Sequence, residues 1–300
     1  MKMMDFSCKH NVLIRNLDGS LLPMDEPYFE SFKEADGVWR ILSSGDYSYL
    51  IEGEDEAVAL DSGYGAGNIR IYLQTLTDKP VRRIINTHYH FDHTANNGYF
   101  EEAFMSEETV PRATKPYKSF SGIQFIEDYP KTVIHEGDVI ELGGRKLEVF
   151  EIPCHAAGSL AFLDRVNRIL FTGDEFGPFC NLSGSISQFV NNMQKLMSIR
   201  SEFDYCLGGN GRFDASYVEK CLALGRDILA GTAEVCEGKG GKKPDNGPPA
   251  PEGVTVYGRK SPHPGDSVVS TPRMNQMVSG HDVRIMYDIR NVEEKTVDLG

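Results

Sequence analysis

A histidine-rich segment directly after an apolar run constrains the fold of this chain more than any other feature of its sequence. The segment THYHFDHTANN spans residues 87–97 and contains three of the eight histidines of the chain. The preceding run, VRRIIN at 81–86, is rich in aliphatic residues and predicts a buried strand. Open α/β sheets usually hold their ligand sites at the carboxyl ends of strands. The sequence therefore predicts a functional site at one edge of a sheet.

The spacing of the polar side chains within this segment favours metal binding. In an extended backbone alternate side chains point the same way, so His88 and His90 can contact one cation from the same side. Asp92 and His93 come after the strand and would face a neighbouring position, which makes two adjacent metal sites a natural geometry. Neutral imidazoles with a carboxylate suit Zn²⁺ best, with iron or manganese as alternatives.

The composition argues against several classes of function. The formal net charge of −13 repels polyphosphates, so we expect a small-molecule substrate and no nucleic acid. Nowhere do about 18 apolar residues follow one another, and the first residues lack the apolar stretch of a signal peptide. The six cysteines show no CxxC pair, which is typical of reduced thiols. We therefore expect a cytoplasmic protein with no place in a membrane.

Hydrophobic periodicity divides the chain into strands and helices. It predicts a meander of strands from Gly37 and a helix with Asn68 as its N-cap. After the histidines, YFEEAFMS at 99–106 is predicted to be helical. Two hairpins follow, and then two amphipathic helices at 186–199 and 217–230. Strands followed by helices, twice over, predict two sheets face to face with helices outside.

The chain is expected to form a single domain over residues 1–300. Between residues 231 and 253 the composition changes to GKGGKKPDNGPPAPEG, which is too poor in apolar groups to pack, so we expect a flexible loop there. The later segments GVTVYGRKS and HDVRIMYDIRNV alternate like strands, which predicts a C-terminal extension that returns to the sheet. This extension could also serve as a lid or in dimerisation, so a homodimer stays open.

The segment THYHFDH resembles the HxHxDH signature of the metallo-β-lactamase superfamily. The resemblance runs from about Gly37 to Gly211 and includes three further pieces in the family's order: Asp61-Ser-Gly, Pro153-Cys-His155-Ala-Ala-Gly-Ser and Phe171-Thr-Gly-Asp174. It implies an α/β fold, a four-layer αββα sandwich of the metallo-β-lactamase type. It also implies a metal site at one edge of the two sheets.

The resemblance implies a role for each matching side chain. The implied ligands of the first ion are His88, His90 and His155. Those of the second ion are Asp92 and His93, and the carboxylate of Asp174 would bridge the two ions. Asp61 would orient a ligating imidazole through the second ring nitrogen. The implied cofactor is Zn²⁺, as one or two ions.

The sequence departs from the family at its last ligand. The family places a histidine at the end of a late strand, where this chain has Cys206-Leu-Gly-Gly-Asn210-Gly, so Asn210 is expected to take that place. An amide oxygen is a weaker donor toward Zn²⁺ than imidazole, so the second ion should be bound less tightly or completed by water. His263 and His281 are two candidates to replace the missing histidine, each set against an ordinary surface role.

These residues predict a hydrolase that uses a metal-bound hydroxide, because a bound cation lowers the pKa of water to about 7. Asp92 would accept or pass on the proton, and Tyr89 would either donate to a developing oxyanion or simply pack. The expected substrate is a small ester, lactone, thioester or related compound. We expect the segments 112–131 and 176–186 to form the walls of its pocket.

Two other functions stay open on the sequence alone. The superfamily includes members that resemble persulfide dioxygenases and use one iron, which is compatible with a weakened second site. Alternatively, the loss of the usual final histidine could leave a catalytically inactive metal-binding scaffold. The metal content separates the two enzymes, since two zinc ions favour the hydrolase and one iron the dioxygenase.

Overall fold

The computed structural model describes residues 12–15, 21–23, 29–43, 46–63, 68–113, 128–236, 255–258 and 274–293, with only the backbone in 12–15, 21–23 and 255–258. The strands in these ranges are β1 (Val12–Arg15), β2 (Leu21–Pro23), β3 (Glu30–Ala35), β4 (Val38–Leu42), β5 (Tyr47–Glu52), β6 (Ala57–Leu60), β7 (Val81–Ile85), β8 (Glu102–Met105), β9 (Lys131–Val133), β10 (Val139–Glu141), β11 (Lys146–Glu151), β12 (Leu160–Asp164), β13 (Ile169–Gly173), β14 (Cys180–Asn181), β15 (Tyr205–Gly208), β16 (Gly211–Asp214), β17 (Glu234–Val235), β18 (Thr255–Gly258), β19 (Asn275–Gly280) and β20 (Val283–Asp288). The helices are α1 (Ile69–Gln74), α2 (Phe91–Thr94), α3 (Ile186–Ser198) and α4 (Ser216–Leu229), and short 3₁₀ turns cover Asn97–Tyr99 and Arg200–Glu202.

The first sheet contains the strand that leads into the histidine-rich segment. Its strand order is β3-β4-β5-β6-β7-β8-β9, antiparallel from β3 to β6 and parallel from β6 to β9. The predicted meander is therefore confirmed. Helix α1 makes the crossover from β6 to β7, and its predicted N-cap Asn68 accepts a hydrogen bond of 3.2 Å from the Ile71 N–H. Strand β7 is paired on both sides, which fixes the point where the histidines begin.

The second sheet has the strand order β10-β11-β12-β13-β15-β16. Its neighbouring strands are antiparallel except for β13 and β15, which are parallel and are separated in the chain by α3. The two predicted hairpins are β10–β11 and β12–β13. The first turns at Gly143 and Gly144, whose φ values of 78° and 65° favour glycine.

The two sheets pack face to face, and helices cover both outer surfaces. Along β5, Tyr49 and Ile51 belong to the core between the sheets, whereas Leu50 belongs to the core beneath α1 together with Leu73. Helices α3 and α4 cover the second sheet with side chains such as Phe189. Burial of one large aliphatic side chain contributes about 1.5–3 kcal/mol to folding. The predicted four-layer αββα sandwich is confirmed.

The segment 99–106 forms strand β8, so the prediction of a helix there is wrong. Strand β8 lies between β7 and β9 and pairs in parallel with both. Ala103 and Met105 are buried in the core beneath α1, and Phe104 packs against the core between the sheets. Glu, Ala and Met favour helices in isolation, but pairing with two neighbouring strands outweighs this preference.

The last described residues form a hairpin outside the two main sheets. Strands β19 and β20 join β14 and β17 in a four-stranded sheet, where Ile285 packs into the core beneath α3 and α4. Strand β18 pairs with β1 in a three-stranded sheet. Residues 237–253 of the predicted flexible loop lie outside the described residues. The single-domain organisation over residues 1–300 stays a prediction. Within the described ranges, every helix is too short or too polar to cross a membrane.

Candidate metal centre

Segments from both sheets meet at one edge of the sandwich. His88 and His90 follow β7 of the first sheet, in the turn that leads into α2. His155 and Asp174 follow β11 and β13 of the second sheet. The N–H of Leu160 donates to the carbonyl of residue 87 at 2.7 Å, which ties the histidine segment to the second sheet. The sandwich therefore brings together side chains that are distant in the sequence.

Three histidines, His88, His90 and His155, face one another and are called the imidazole cluster. His90 Nδ1 lies 3.0 Å from His88 Nε2 and 3.1 Å from His155 Nε2. Burial, reinforced by the neighbouring histidines, lowers the pKa of His88 well below 6.5 and that of His90 to about 4. Burial also lowers the pKa of His155. The three rings are therefore neutral at pH 7, the state in which imidazole binds a cation.

The Nδ1 atoms of His155 and His88, on the side of each ring away from the cluster, are held by hydrogen bonds. His155 Nδ1 is 3.0 Å from the carbonyl of Asn181, which can only accept, so this nitrogen carries the proton. The Thr87 hydroxyl donates to Asp61 at 2.7 Å, so its oxygen accepts from His88 Nδ1 at 3.0 Å. Both rings therefore turn an unprotonated Nε2 toward the cluster.

A second group, the carboxylate cluster, consists of Asp46, Asp92, His93 and Asp174. One ligand atom from each residue lies within 4.8 Å of those of the other three. His93 Nε2 is 3.6 Å from Asp92 Oδ2 and 3.5 Å from Asp174 Oδ2. Asp174 Oδ2 is also 3.9 Å from His155 Nε2, so Asp174 stands between the two clusters.

Asp61 fixes the orientation of His93. Its Oδ2 is 2.8 Å from His93 Nδ1, and its Oδ1 accepts a 2.8 Å hydrogen bond from the N–H of Thr87. Burial disfavours the charged imidazole, but Asp174, Asp61 and Asp92 outweigh burial and raise the pKa of His93 well above 6.5. Asp61 thus contacts the His93 imidazole at Nδ1, and its role in orienting a metal ligand stays a prediction.

The arrangement fits a divalent cation. His93 Nε2 is buried and has no hydrogen-bond partner, although two carboxylates surround it. Two donor atoms on one tetrahedral zinc ion stand about 3.4 Å apart, because each metal–ligand distance is about 2.1 Å. The separations of 3.5 and 3.6 Å at His93 match that spacing. Imidazoles with carboxylates are also the donors that zinc, iron and manganese use in proteins.

Asn210 and Tyr89 lie at the rim of this centre. Asn210 Nδ2 donates to Asp174 Oδ1 at 3.3 Å. The Tyr89 ring stands edge-on to His90 at a centroid distance of 4.9 Å, with the Arg112 guanidinium 5.1 Å from its centre. The ring of Tyr89 therefore packs beside the site, and the roles predicted for Asn210 and Tyr89 stay predictions.

The two histidines considered as replacements for the last ligand are not among the clustered residues that the structure describes. His281 Nε2 is 2.8 Å from Asp227 Oδ2 in a half-exposed pair at the surface of α4. His263 lies outside the described residues.

Two acidic residues near the centre were missed by the sequence analysis. Asp46 lies in SSGD between β4 and β5, a pattern that indicates only a turn. Glu175 is buried, and its Oε1 accepts hydrogen bonds from the N–H groups of Cys154 at 3.0 Å and His155 at 2.7 Å. Burial raises the pKa of Glu175 to about 8. Its position directly after Asp174 was the one available signal.

A cavity of about 350 Å³ opens beside the loop that carries His155. Ser183 and Gly184 line it, and they belong to the segment 176–186 that was expected to wall a pocket. Most of the other expected wall, residues 114–127, lies outside the described residues. The remaining wall includes three carboxylates: Glu107, Glu108 and Glu151.

Comparisons with known proteins agree with this geometry. The family model of the metallo-beta-lactamase superfamily matches residues 45–235. The acyl-coenzyme A thioesterase MBLAC2 of Gallus gallus is 26% identical over 220 residues, which cover 61% of this chain and 74% of that protein. A hydroxyacylglutathione hydrolase of Bdellovibrio bacteriovorus is 27% identical over 185 residues, which cover 60% of this chain and 68% of that protein.

A solved structure supports the same fold. The metallo-beta-lactamase from Pontibacter korlensis matches with a TM-score of 0.54 at 19% sequence identity, over 66% of this chain and 99% of that chain. The family model spans more than half of the sequence, and both relatives are hydrolases by name. This chain therefore belongs to the metal-dependent metallo-β-lactamase superfamily and is a hydrolase of that superfamily.

Proposed function

We propose that this chain is a thioesterase with two metal ions. Among the substrate classes expected from the sequence, the thioester is the one on which the two relatives act. The observation that carries the proposal is the pair of adjoining clusters with Asp174 between them. A shared fold alone does not choose a reaction, so the proposal depends on this site and on those relatives.

The two clusters would hold two Zn²⁺ ions. The proposed ligands are, for the first ion, His88, His90 and His155 and, for the second, Asp92, His93 and Asp174. Asn210 is the sequence-based candidate for a further ligand of the second ion. Bound ions of this kind lower the pKa of a coordinated water to about 7 and polarise a carbonyl oxygen.

Two side chains at the rim handle charge and protons in this proposal. The Asp92 side chain is 13% exposed, so its carboxylate is open to solvent at the edge of the carboxylate cluster. A carboxylate oxygen of Asp92 would take a proton from the attacking water and release it to the departing sulfur or to solvent. A thiol has a pKa of about 8.5, so the sulfur can depart as a thiolate with little assistance from a proton donor. Tyr89 is the proposed donor to the developing oxyanion.

The cavity beside His155 favours a compact acyl group. Its volume of about 350 Å³ is at the small end of the range for ligand pockets. The carboxylates of Glu107, Glu108 and Glu151 in its wall repel acidic groups. We therefore propose that the acyl part enters this cavity and that the anionic part of the thiol stays outside it.

The test is an assay of the zinc-loaded protein against acyl-coenzyme A and acylglutathione thioesters, with matched oxygen esters and lactones. We expect turnover of the thioesters and its loss on removal of the metal. His90→Ala should lower kcat/KM by at least about 100-fold, because it removes a ligand at the centre. His281→Ala is the matched control, since it removes an imidazole from the surface pair with Asp227.

Wild-type turnover by His90→Ala, or hydrolysis of oxygen esters alone, contradicts the proposal. One bound iron, with oxygen consumption in the presence of a persulfide, favours the dioxygenase instead. A cytoplasmic location and a homodimer also stay predictions, which cell fractionation and light scattering would test.

A further inference from the structure

We infer that Asp46 is a ligand of the second cation. It would take the role of the family's last histidine ligand, for which the sequence pattern of this chain offers Asn210. Its carboxylate would complete the set formed by Asp92, His93 and Asp174. The inference rests on the proposed two-metal function and names a ligand that the sequence pattern does not contain.

Asp46 lies beside the other acidic residues of the carboxylate cluster. Its carboxylate lies within 4.8 Å of the ligand atoms of Asp92, His93 and Asp174. The loop is held there by the next residue, because the N–H of Tyr47 donates to the carbonyl of Gly209 at 2.8 Å. The start of β5 is thereby fixed against the turn after β15, at the rim of the carboxylate cluster.

The glycine at that turn explains how the backbone comes so close. A Cβ atom at Gly209 would collide with Asp174 Oδ1 and stand 3.0 Å from His93 Cε1. Only a glycine lets the turn approach the ligands this closely. Because Tyr47 is hydrogen-bonded to Gly209, the β4–β5 loop lies close to the same ligands and places Asp46 beside the second cation position.

The ring of His93 also points to a cation at this position, independently of where Asp46 lies. His93 Nδ1 is bound by Asp61 at 2.8 Å, whereas the buried Nε2 on the other side of the ring has no hydrogen-bond partner. This nitrogen is directed into the carboxylate cluster, at spacings that match two ligands of one cation. A buried polar atom without a partner costs about 1–3 kcal/mol, and a cation at this position removes that cost.

Asn210 faces the carboxylate cluster as a hydrogen-bond donor. Its amide nitrogen, not its oxygen, faces Asp174, and the residue is exposed at the rim. In this arrangement Asn210 is a hydrogen-bond donor that holds the shared carboxylate of Asp174. Asp46 then supplies the donor atom that the amide does not.

A carboxylate of Asp46 in place of the family's last histidine changes the donor atoms of the second position. The first position offers three imidazole nitrogens, whereas the second offers three carboxylates and one imidazole. Oxygen-rich donor sets favour manganese, and imidazole-rich sets favour zinc and iron. We therefore expect the second position to bind Mn²⁺ more strongly, relative to Zn²⁺, than the first position does.

The experiment is a titration of metal-free protein with Zn²⁺ and then with Mn²⁺, followed by calorimetry and by elemental analysis after gel filtration. Asp46→Asn keeps the shape of the side chain and removes its charge. Asn210→Ala removes the rival ligand. Asp36→Asn is the matched control, because it makes the same charge change at a residue with a 97% exposed side chain.

We expect the wild type, Asn210→Ala and Asp36→Asn to bind two equivalents of Zn²⁺. Asp46→Asn should keep the first equivalent at wild-type affinity and bind the second at least about 100-fold more weakly. The retained first equivalent also shows that the variant is folded. A wild type that binds one equivalent overturns the inference, as does a second equivalent that is lost in Asn210→Ala and kept in Asp46→Asn.

Because the measurement is metal binding, its result is separate from the thioesterase assay. If the wild type hydrolyses thioesters and Asp46→Asn still binds two ions, the assignment of Asp46 fails and the proposed function stands. If Asp46→Asn loses the second ion and no thioester is hydrolysed, the ligand stands and the proposed function fails.

Discussion

At the scale of single residues, the candidate metal centre depends on side chains that hold its proposed ligands in place. Asp61 has a positive φ of 58°, a region that costs a non-glycine residue about 1–3 kcal/mol. The strain is retained because this backbone directs the carboxylate at both His93 Nδ1 and the N–H of Thr87. The hydrogen bond leaves Nε2 of His93 unprotonated when a cation is bound, which is the form that a ligand needs.

The variant Asp61→Asn tests this role. Asparagine tolerates positive φ as well as aspartate does, so the backbone should be unchanged. An amide group that donates to Nδ1 would place the ring proton on Nε2, where it blocks the cation. We expect the affinity for the second Zn²⁺ to fall by about 10–100-fold, measured by calorimetric titration. Equal affinity in Asp61→Asn and in the control Asp36→Asn would count against the role.

Glu175 holds the loop of the imidazole cluster from behind. Its Oε1 accepts from two buried N–H groups, those of Cys154 and His155. Glu175→Ala leaves both donors without an acceptor, so we expect the free energy of unfolding to fall by about 2–4 kcal/mol in a urea titration. Glu175→Gln keeps the acceptor and should recover most of this loss. Equal destabilisation by both substitutions would contradict the role of Oε1.

At the scale of elements, local patterns predict what local interactions decide. Asn68 caps α1 because its side chain accepts from the N–H of Ile71 in the first turn, a relation within four residues. Strand β8 was predicted wrongly because its conformation follows from pairing with β7 and β9. Asp46 was missed for the same reason, since a hydrogen bond to Gly209, far along the chain, brings its loop to the site.

The cap of α1 provides a test at this scale. Asn68→Ala removes the acceptor for the Ile71 N–H, so the free energy of unfolding should fall by about 1 kcal/mol. Asn68→Ser keeps a capping oxygen and serves as the matched variant, with a loss of a few tenths of a kcal/mol at most. Chemical denaturation of the three proteins measures the difference. An Asn68→Ala variant as stable as the wild type would show that packing of Leu73 alone holds the helix.

At the scale of the whole molecule, the candidate metal centre lies between two sheets that share no strand. The family resemblance implied this partnership because His88, His90, His155 and Asp174, all proposed ligands, lie in recognisable motifs at strand ends: THYHFDH after β7, PCHAAGS after β11 and FTGD around the end of β13. The sequence could not predict the loops that close the site, because their places depend on how the sheets pack. Cations bound between the sheets should therefore stabilise the sandwich as a unit.

Removal of the metal tests this coupling. A ligand that binds only the folded state adds about 2.7 kcal/mol at 100 times its Kd, which corresponds to roughly 4 °C in Tm for a chain of this size. We expect the zinc-loaded protein to melt that much higher than chelator-treated protein in differential scanning calorimetry. His90→Ala should lose most of the difference because a ligand is gone, whereas the surface control His281→Ala should keep it. If zinc raises the Tm of His90→Ala as much as that of the wild type, the stabilising ions are bound elsewhere, and the sandwich is held together without the centre.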